Sequence, residues 1–476
     1  MMEFDEFREQ GHKLVDWMAD YLESVERNPV RSQVQPGDIT KQLPSCAPSR
    51  PEAFDDIFRD FQDVIMPGMT HWQHPSFFAF FTANSSPPSV LAEMLTATVG
   101  AQCMLWETSP AATELETRVL DWLRQMCGLP GPDEGGFHGV IQDTASSAIL
   151  CAILTAREQA SQWQSNQTGL ADSMQLAVYT SRETHSSTEK AVKIAGLGKS
   201  QLRKIETDSE FALLPTALEK AIEQDVANGI VPACVVASVG ATGVGAIDPL
   251  RAIGEICNRY GVFLHVDAAW AGNALILPEC RWMIDGIEFV DSLVLNPHKW
   301  LMTNFDCSAH FVRDPGALVR TLSILPEYLR HANQDSVIDY RDWGIALGRR
   351  FRALKLWFVI RSYGTEQLQE ILREHIALAQ WLEEQIEKSD GFELTSPRRL
   401  SLLTFRHAPA GETEEALNER NGKLVASLNE SGKLYVTGTT IGQRYVIRLN
   451  IGQTYTKRMH VEQAWDLVQT MASPNG

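Results

Sequence analysis

The sequence predicts an α/β protein: a mostly parallel sheet covered by helices on both faces, preceded by a helical arm and followed by a smaller α+β domain. Three observations carry this. From about Val140 to Val312, short β-branched runs alternate with helical stretches, as in strands joined by covering helices. Before that region apolar residues recur every three or four positions, and after about Tyr363 long helical spacing returns around two strand-like runs. The expected domains are 1–85, 86–362 and 363–476.

The arm comes first. Phe4, Phe7, Leu14, Trp17, Met18, Tyr21, Leu22 and Val25 form one apolar stripe, which Asn28-Pro29 ends. Arg31 to Pro51 carries Pro36, Pro44, Pro48 and Pro51 and reads as an extended connector. A stripe followed by such an arm suits docking onto a second subunit, and packing on the chain's own body explains the same spacing. In the central region the strands are Leu176–Tyr179, Ala233–Val239, Val262–Val266, Ser292–Leu295 and Ala309–Val312, with helices at Leu214–Gln224 and Leu250–Tyr260. Continuous apolar strands of this kind are buried on both faces, and ligands of such sheets sit outside the strands' carboxyl ends. The final domain reads as a long helix at Glu366–Lys388, strands at Leu400–Phe405 and Tyr445–Ile451, and a last helix at Val461–Met471.

Composition excludes several functions. Lys plus Arg is 42 against 60 Asp plus Glu, a formal charge of −18 that repels nucleic acid and anionic membranes. The eight cysteines are scattered with no C-x-x-C pair, and no secretory apolar stretch follows Met1, which together point to a reducing cytoplasm. The uncharged run Gly229–Ile247 is interrupted by Pro232 and by small residues, so it reads as a buried strand and turn, not a membrane helix.

Four runs place polar residues where strands end. In Ser292-Leu293-Val294-Leu295-Asn296-Pro297-His298-Lys299-Trp300 a lysine follows an apolar strand, and desolvation there favours a nucleophilic, imine-forming amine. Val262-Phe263-Leu264-His265-Val266-Asp267 puts a carboxylate at a strand end, where a protonated pyridine nitrogen would complement it. Asp143-Thr144-Ala145-Ser146-Ser147 opens an apolar helix with small and hydroxyl residues, a start that suits a phosphate. Thr184-His185-Ser186-Ser187 brings an imidazole to the same edge. Taken singly, each has an ordinary reading: a solvent-facing lysine, a capping aspartate, a serine N-cap and a capping histidine. Gly240-Ala241-Thr242-Gly243-Val244-Gly245 has the wrong glycine order for a dinucleotide loop, and His71-x-x-His74 lacks the further ligands of a metal site, so no metal is assigned.

In combination these runs resemble the pyridoxal-phosphate-dependent group II decarboxylases, and among them the aromatic-L-amino-acid decarboxylases. His71–Phe78, Ser109–Glu116, Asn304–Ser308 and Leu347–Arg352 extend the resemblance. It implies the aspartate-aminotransferase-like fold, fold type I, with a seven-stranded large-domain sheet, and a homodimer whose subunits share the active site. It also implies that Lys299 carries pyridoxal 5'-phosphate covalently, Asp267 pairs with the pyridinium nitrogen and His185 stacks on the ring. Thr144, Ala145, Ser146, Asn296 and His298 would surround the phosphate, with Thr242 near the ring's edge. Ile324–His331 resembles the family's mobile loop, in which Tyr328 would return a proton to the α-carbon; relatives with Phe there form aldehydes. Trp72, Phe80, Phe81 and Thr82, with Gln102 and Met104 expected from a partner subunit, would line an aromatic substrate slot. No arginine stands in these wall segments to clamp a side-chain carboxylate. Gly348 stands where tyrosine- and histidine-preferring relatives often have Ser, which leaves room for an indole and favours tryptophan. Two places depart from the family's pattern: Phe80-Phe81-Thr82 is one residue short, and Asp143 and Ser147 replace commoner residues in the phosphate loop.

Overall fold

A computed structural model describes residues 2–170, 174–324 and 337–473. The chain divides into two compact units, one of residues 83–376 with 396–402 and one of 1–82, 377–395 and 403–476.

The larger unit is built on a seven-stranded sheet. Its strands are β1 (His138–Gln142), β2 (Leu176–Ser181), β3 (Leu202–Ile205), β4 (Val231–Ser238), β5 (Phe263–Asp267), β6 (Ser292–Leu295) and β7 (Ser308–Val312), in the order β1-β7-β6-β5-β4-β2-β3. From β6 to β3 neighbouring strands pair in parallel. β7 is antiparallel to both β6 and β1, so β1 runs the same way as β6. Every residue of β2 and β6 is buried, because helices cover both faces and no strand position is left to face water. On one face Ile149 and Ile153, from the helix Ala145–Ala160, pack with Val178, Val192 and Val236. The run Gly229–Ile247 becomes β4 and a tight turn. At Gly240 φ is +87° and an added Cβ would fall 2.5 Å from that of Ala271, so only glycine fits. Beyond β6, Trp300 and Trp270 are fully buried and stacked at 5.2 Å, a contact worth about 1 kcal/mol beyond area burial.

The smaller unit has a four-stranded sheet of β8 (Phe392–Leu394), β9 (Leu402–His407), β10 (Thr437–Ile441) and β11 (Arg444–Asn450), ordered β10-β11-β9-β8. Leu403, Phe405, Ile447 and Leu449 face a core shared with Leu428 and Trp465 from the helices Glu414–Glu430 and Arg458–Ala472. The N-terminal helix is Phe4–Ser24, and its stripe is divided. Trp17 packs edge-on to Phe58 and Phe61, whereas Phe4 and Phe7 are 85% and 59% exposed. The connector is less extended than its prolines suggest, since Asp38–Gln42 closes a helical turn.

Candidate active site

The topology brings the candidate residues of the larger unit to one edge. Ser238, Asp267 and Val294 lie side by side at the carboxyl ends of β4, β5 and β6, and β1 and β2 open the same way. Segments that follow these strands must start there: Asp143–Ser146 after β1, Thr184–Ser187 after β2, the Thr242 turn after β4, and Asn296–Lys299 after β6.

Lys299 lies in a single helical turn, Pro297–Trp300, which Pro297 opens at the position that tolerates its missing N–H. The turn is pinned on several sides. Asn84 donates through Nδ2 to the Lys299 carbonyl at 2.5 Å, and its backbone N–H donates to the His298 carbonyl at 2.9 Å. The Ser308 hydroxyl donates to Asn296 Oδ1, and Trp300 Nε1 donates to His375 Nδ1 at 2.9 Å. His298 accepts at Nδ1 from the Cys307 N–H at 2.9 Å, and burial, reinforced by Lys299, pushes its pKa down to about 3. That imidazole is therefore neutral and carries its proton on Nε2.

Asp267 is half-buried, and its Oδ1 accepts from the Ala269 N–H at 3.1 Å. His185 stands open on one side, with Nδ1 2.7 Å from the Ser187 hydroxyl and 3.2 Å from the Ser187 N–H. Burial lowers the His185 pKa, Asp267 opposes this and Lys299 adds to it, so base, acid and imidazole act on one another. Thr144 is the N-cap of the helix Ala145–Ala160, yet its side chain makes no capping bond to that helix. The first amides of a helix lack intrahelical acceptors, and with the hydroxyls of Thr144 and Ser146 they make a ready anion site.

Of the expected pocket residues in this unit, Gln102 and Gly348 are neighbours within one chain. Gln102 Oε1 accepts from the Arg349 N–H at 2.7 Å, and a Cβ on Gly348 would lie 3.3 Å from Gln102 Nε2. Met104 is half-buried, and its carbonyl accepts from the Arg341 N–H at 3.0 Å. Next to Gly348, Arg349 forms a buried pair with Glu116 at 2.5 Å, and Glu116 also accepts from the Ile141 N–H of β1.

In the smaller unit Trp72, Phe77, Phe80 and Tyr435 form an aromatic cluster with centroid separations of 4.4–5.9 Å. Phe80 holds a φ of +54°, and Thr82 is buried. Arg448 on β11 places its guanidinium over the Phe81 ring at 4.5 Å and donates to the Phe80 carbonyl at 2.6 Å. The wall segments themselves hold no arginine, and the fold brings one to them from far along the chain, on β11. Tyr328 lies outside the described residues. Among the described residues no group of three or more His, Cys, Asp or Glu is arranged to hold a metal ion, and His71 and His74 bond instead to the Tyr21 hydroxyl and the Ser76 N–H. Nor, among them, is any helix long and apolar enough to cross a membrane.

Residues 36–408 match the family described as the pyridoxal-dependent decarboxylase conserved domain. The chain is 45% identical to tyrosine decarboxylase 4 of Petroselinum crispum, over 90% of this chain and 86% of that protein. It is 44% identical to a phenylacetaldehyde synthase of Arabidopsis thaliana, over 99% and 97%. In three dimensions it is similar to the crystal structure of Catharanthus roseus tryptophan decarboxylase in complex with L-tryptophan, with a TM-score of 0.93, 43% identity and coverage of 99% and 98%. Pyridoxal phosphate is the cofactor of this family, and the residues at the sheet edge fit it. They offer a lysine in a pinned turn, a strand-end carboxylate with Oδ2 unbonded among the described residues, and a helix start that its N-cap side chain does not cap. The chain is a pyridoxal-phosphate-dependent carboxy-lyase and belongs to the pyridoxal-dependent decarboxylases, in their aromatic-amino-acid branch.

Proposed function

We propose that this enzyme decarboxylates aromatic L-amino acids, tryptophan foremost and phenylalanine, tyrosine and DOPA-type substrates as well, to the arylalkylamine and carbon dioxide. The observation that carries the reading is the close approach of Gly348 to the Gln102 amide, 3.3 Å from where a Cβ would stand: a side chain at 348 would push Gln102 aside, and glycine lets it stay. Similarity to a protein solved with L-tryptophan supports it. Arg448 does not argue for an acidic substrate, because its guanidinium is engaged by the Phe80 carbonyl and the Phe81 ring.

Pyridoxal phosphate, when bound, supplies a ring that draws off the electron pair left by the departing carboxylate. Lys299 would hold it covalently, and the carboxylate of Asp267 would keep a proton on its ring nitrogen, which maintains that electron demand. Thr144, Ala145, Ser146, Asn296 and His298 would bind its phosphate, with Thr242 at the ring's edge and His185 fixing the ring's orientation. Tyr328 would then donate a proton to the α-carbon. Formation of an aldehyde is the second reading, favoured by the similarity to a phenylacetaldehyde synthase. Tyr328 decides between them: Tyr328→Phe should release carbon dioxide but yield aldehyde, ammonia and peroxide in air, and unchanged amine from it would remove Tyr328 from the mechanism.

We also infer a homodimer acting in the cytoplasm. Carbon dioxide release from a panel of aromatic and acidic amino acids tests the substrate assignment. Tryptophan should lead for the native enzyme, and Gly348→Ser should lower tryptophan turnover relative to tyrosine by about tenfold. Release from glutamate alone would overturn the assignment.

A further inference from the structure

We propose that Ser187 is a positioning residue that sets the tautomer of His185, so that the imidazole meets the substrate as a neutral Nε2–H donor. The proposal rests on the reading of His185 as part of the active site. Ser187 is the first residue of the helix Ser187–Ile194 and is buried. Its backbone N–H points at His185 Nδ1 from 3.2 Å, and its hydroxyl is 2.7 Å from the same nitrogen. A backbone N–H can only donate, so Nδ1 must present its lone pair; a proton on that nitrogen would meet another proton head-on. The hydroxyl can add a second donated bond to the same atom. The geometry resists relaxation because the Thr188 N–H also donates to the His185 carbonyl at 3.1 Å, which ties the helix start back onto the histidine.

Neutral imidazole carries one proton, and with Nδ1 excluded it must sit on Nε2. The charged groups acting on the ring come from two other strand ends, Asp267 after β5 and Lys299 after β6, and they oppose one another. With burial added, the balance lies towards the neutral ring. Nε2–H can then hold an anionic oxygen, such as the substrate carboxylate before it leaves. It cannot accept a proton, because its lone pair is part of the ring's π-system. On this account His185 binds and orients, and the proton for the α-carbon comes from another group.

Neutron diffraction on holoenzyme crystals, with kinetics on two variants, tests the proposal. In the native enzyme deuterium should occupy Nε2 and not Nδ1. Ser187→Ala keeps the N–H but loses the hydroxyl; deuterium should stay on Nε2, while the less firmly held ring should lower kcat about three- to tenfold with a smaller change in KM. Ser187→Thr should restore kcat. Deuterium on Nδ1 in the native enzyme would overturn the tautomer given to His185. An Ala variant with the native kcat would overturn the positioning role given to Ser187. Should the Ala variant fail to fold, the native and Thr crystals still decide the tautomer.

Discussion

Asp267 closes an apolar strand, and Lys299 and His185 stand just beyond the ends of β6 and β2; that local contrast makes them legible in sequence. The residues that hold them are not. Asn84 reaches the Lys299 carbonyl across 215 positions, Ser308 reaches Asn296 across 12, and Arg448 reaches Phe80 across 368. Nothing in the composition around Asn84 or Arg448 marks such partners, because strand pairing and turns choose them. Ser187 stands two residues after His185 in the run Thr184–Ser187, but its bond to the imidazole depends on where the helix begins. At this scale the cofactor lysine is the sharpest prediction. Borohydride reduction of the native enzyme followed by peptide mapping should find the cofactor on Lys299, and Lys299→Ala should lose both the covalent link and the yellow colour. A modified lysine elsewhere would contradict the assignment.

Elements with strong apolar contrast are legible in the sequence: β6 and the amphipathic helix Leu250–Tyr260 have the bounds expected, and β2, β4, β5 and β7 differ by one or two residues at their ends. β3 leaves little trace in the sequence because Leu202-Arg203-Lys204-Ile205 is a charged edge strand with too little apolar contrast. β10 is hard to read for a related reason, since Thr437-Gly438-Thr439-Thr440-Ile441 is a half-exposed edge. The strands also carry a pH dependence. Burial pushes the pKa of His298, in the turn after β6, and of His310, on β7, down to about 3, and that of His74 down to about 4. Unfolded histidine titrates near 6.5, so the folded state refuses protons that the unfolded state takes up. Their stabilisation is complete above about pH 6.5 and is lost as pH falls towards the folded values, at up to about 1.4 kcal/mol per pH unit for each histidine. Thermal midpoints should therefore fall from pH 7 to pH 4.5. His310→Phe should flatten that slope by one histidine's share, because neither ring nitrogen of His310 has a hydrogen-bond partner among the described residues. A midpoint that rises as the pH is lowered would contradict this.

Across the whole molecule, apolar surface is exposed in both units. In the smaller one it is Phe4 and Phe7 at the start of the arm. In the larger one Leu91, Met94, Leu95 and Val99 share one face of the helix Pro87–Val99, and Ile345 and Leu347 are exposed as well. Patches of this kind mark interfaces and support the proposed homodimer. Removing residues 1–50 should give insoluble or monomeric, inactive protein, read by sedimentation and assay; a fully active truncated monomer would refute the dimer's role. Sequence periodicity marked the arm's stripe but could not apportion it, since a helix shows the same spacing whether its cover comes from its own chain or from another. The product balance from L-tryptophan in air tests the proposed reaction. The native enzyme should yield tryptamine and carbon dioxide in equal amounts, without peroxide. Indole acetaldehyde with ammonia and peroxide in place of the amine, or no carbon dioxide from any aromatic amino acid, would contradict it.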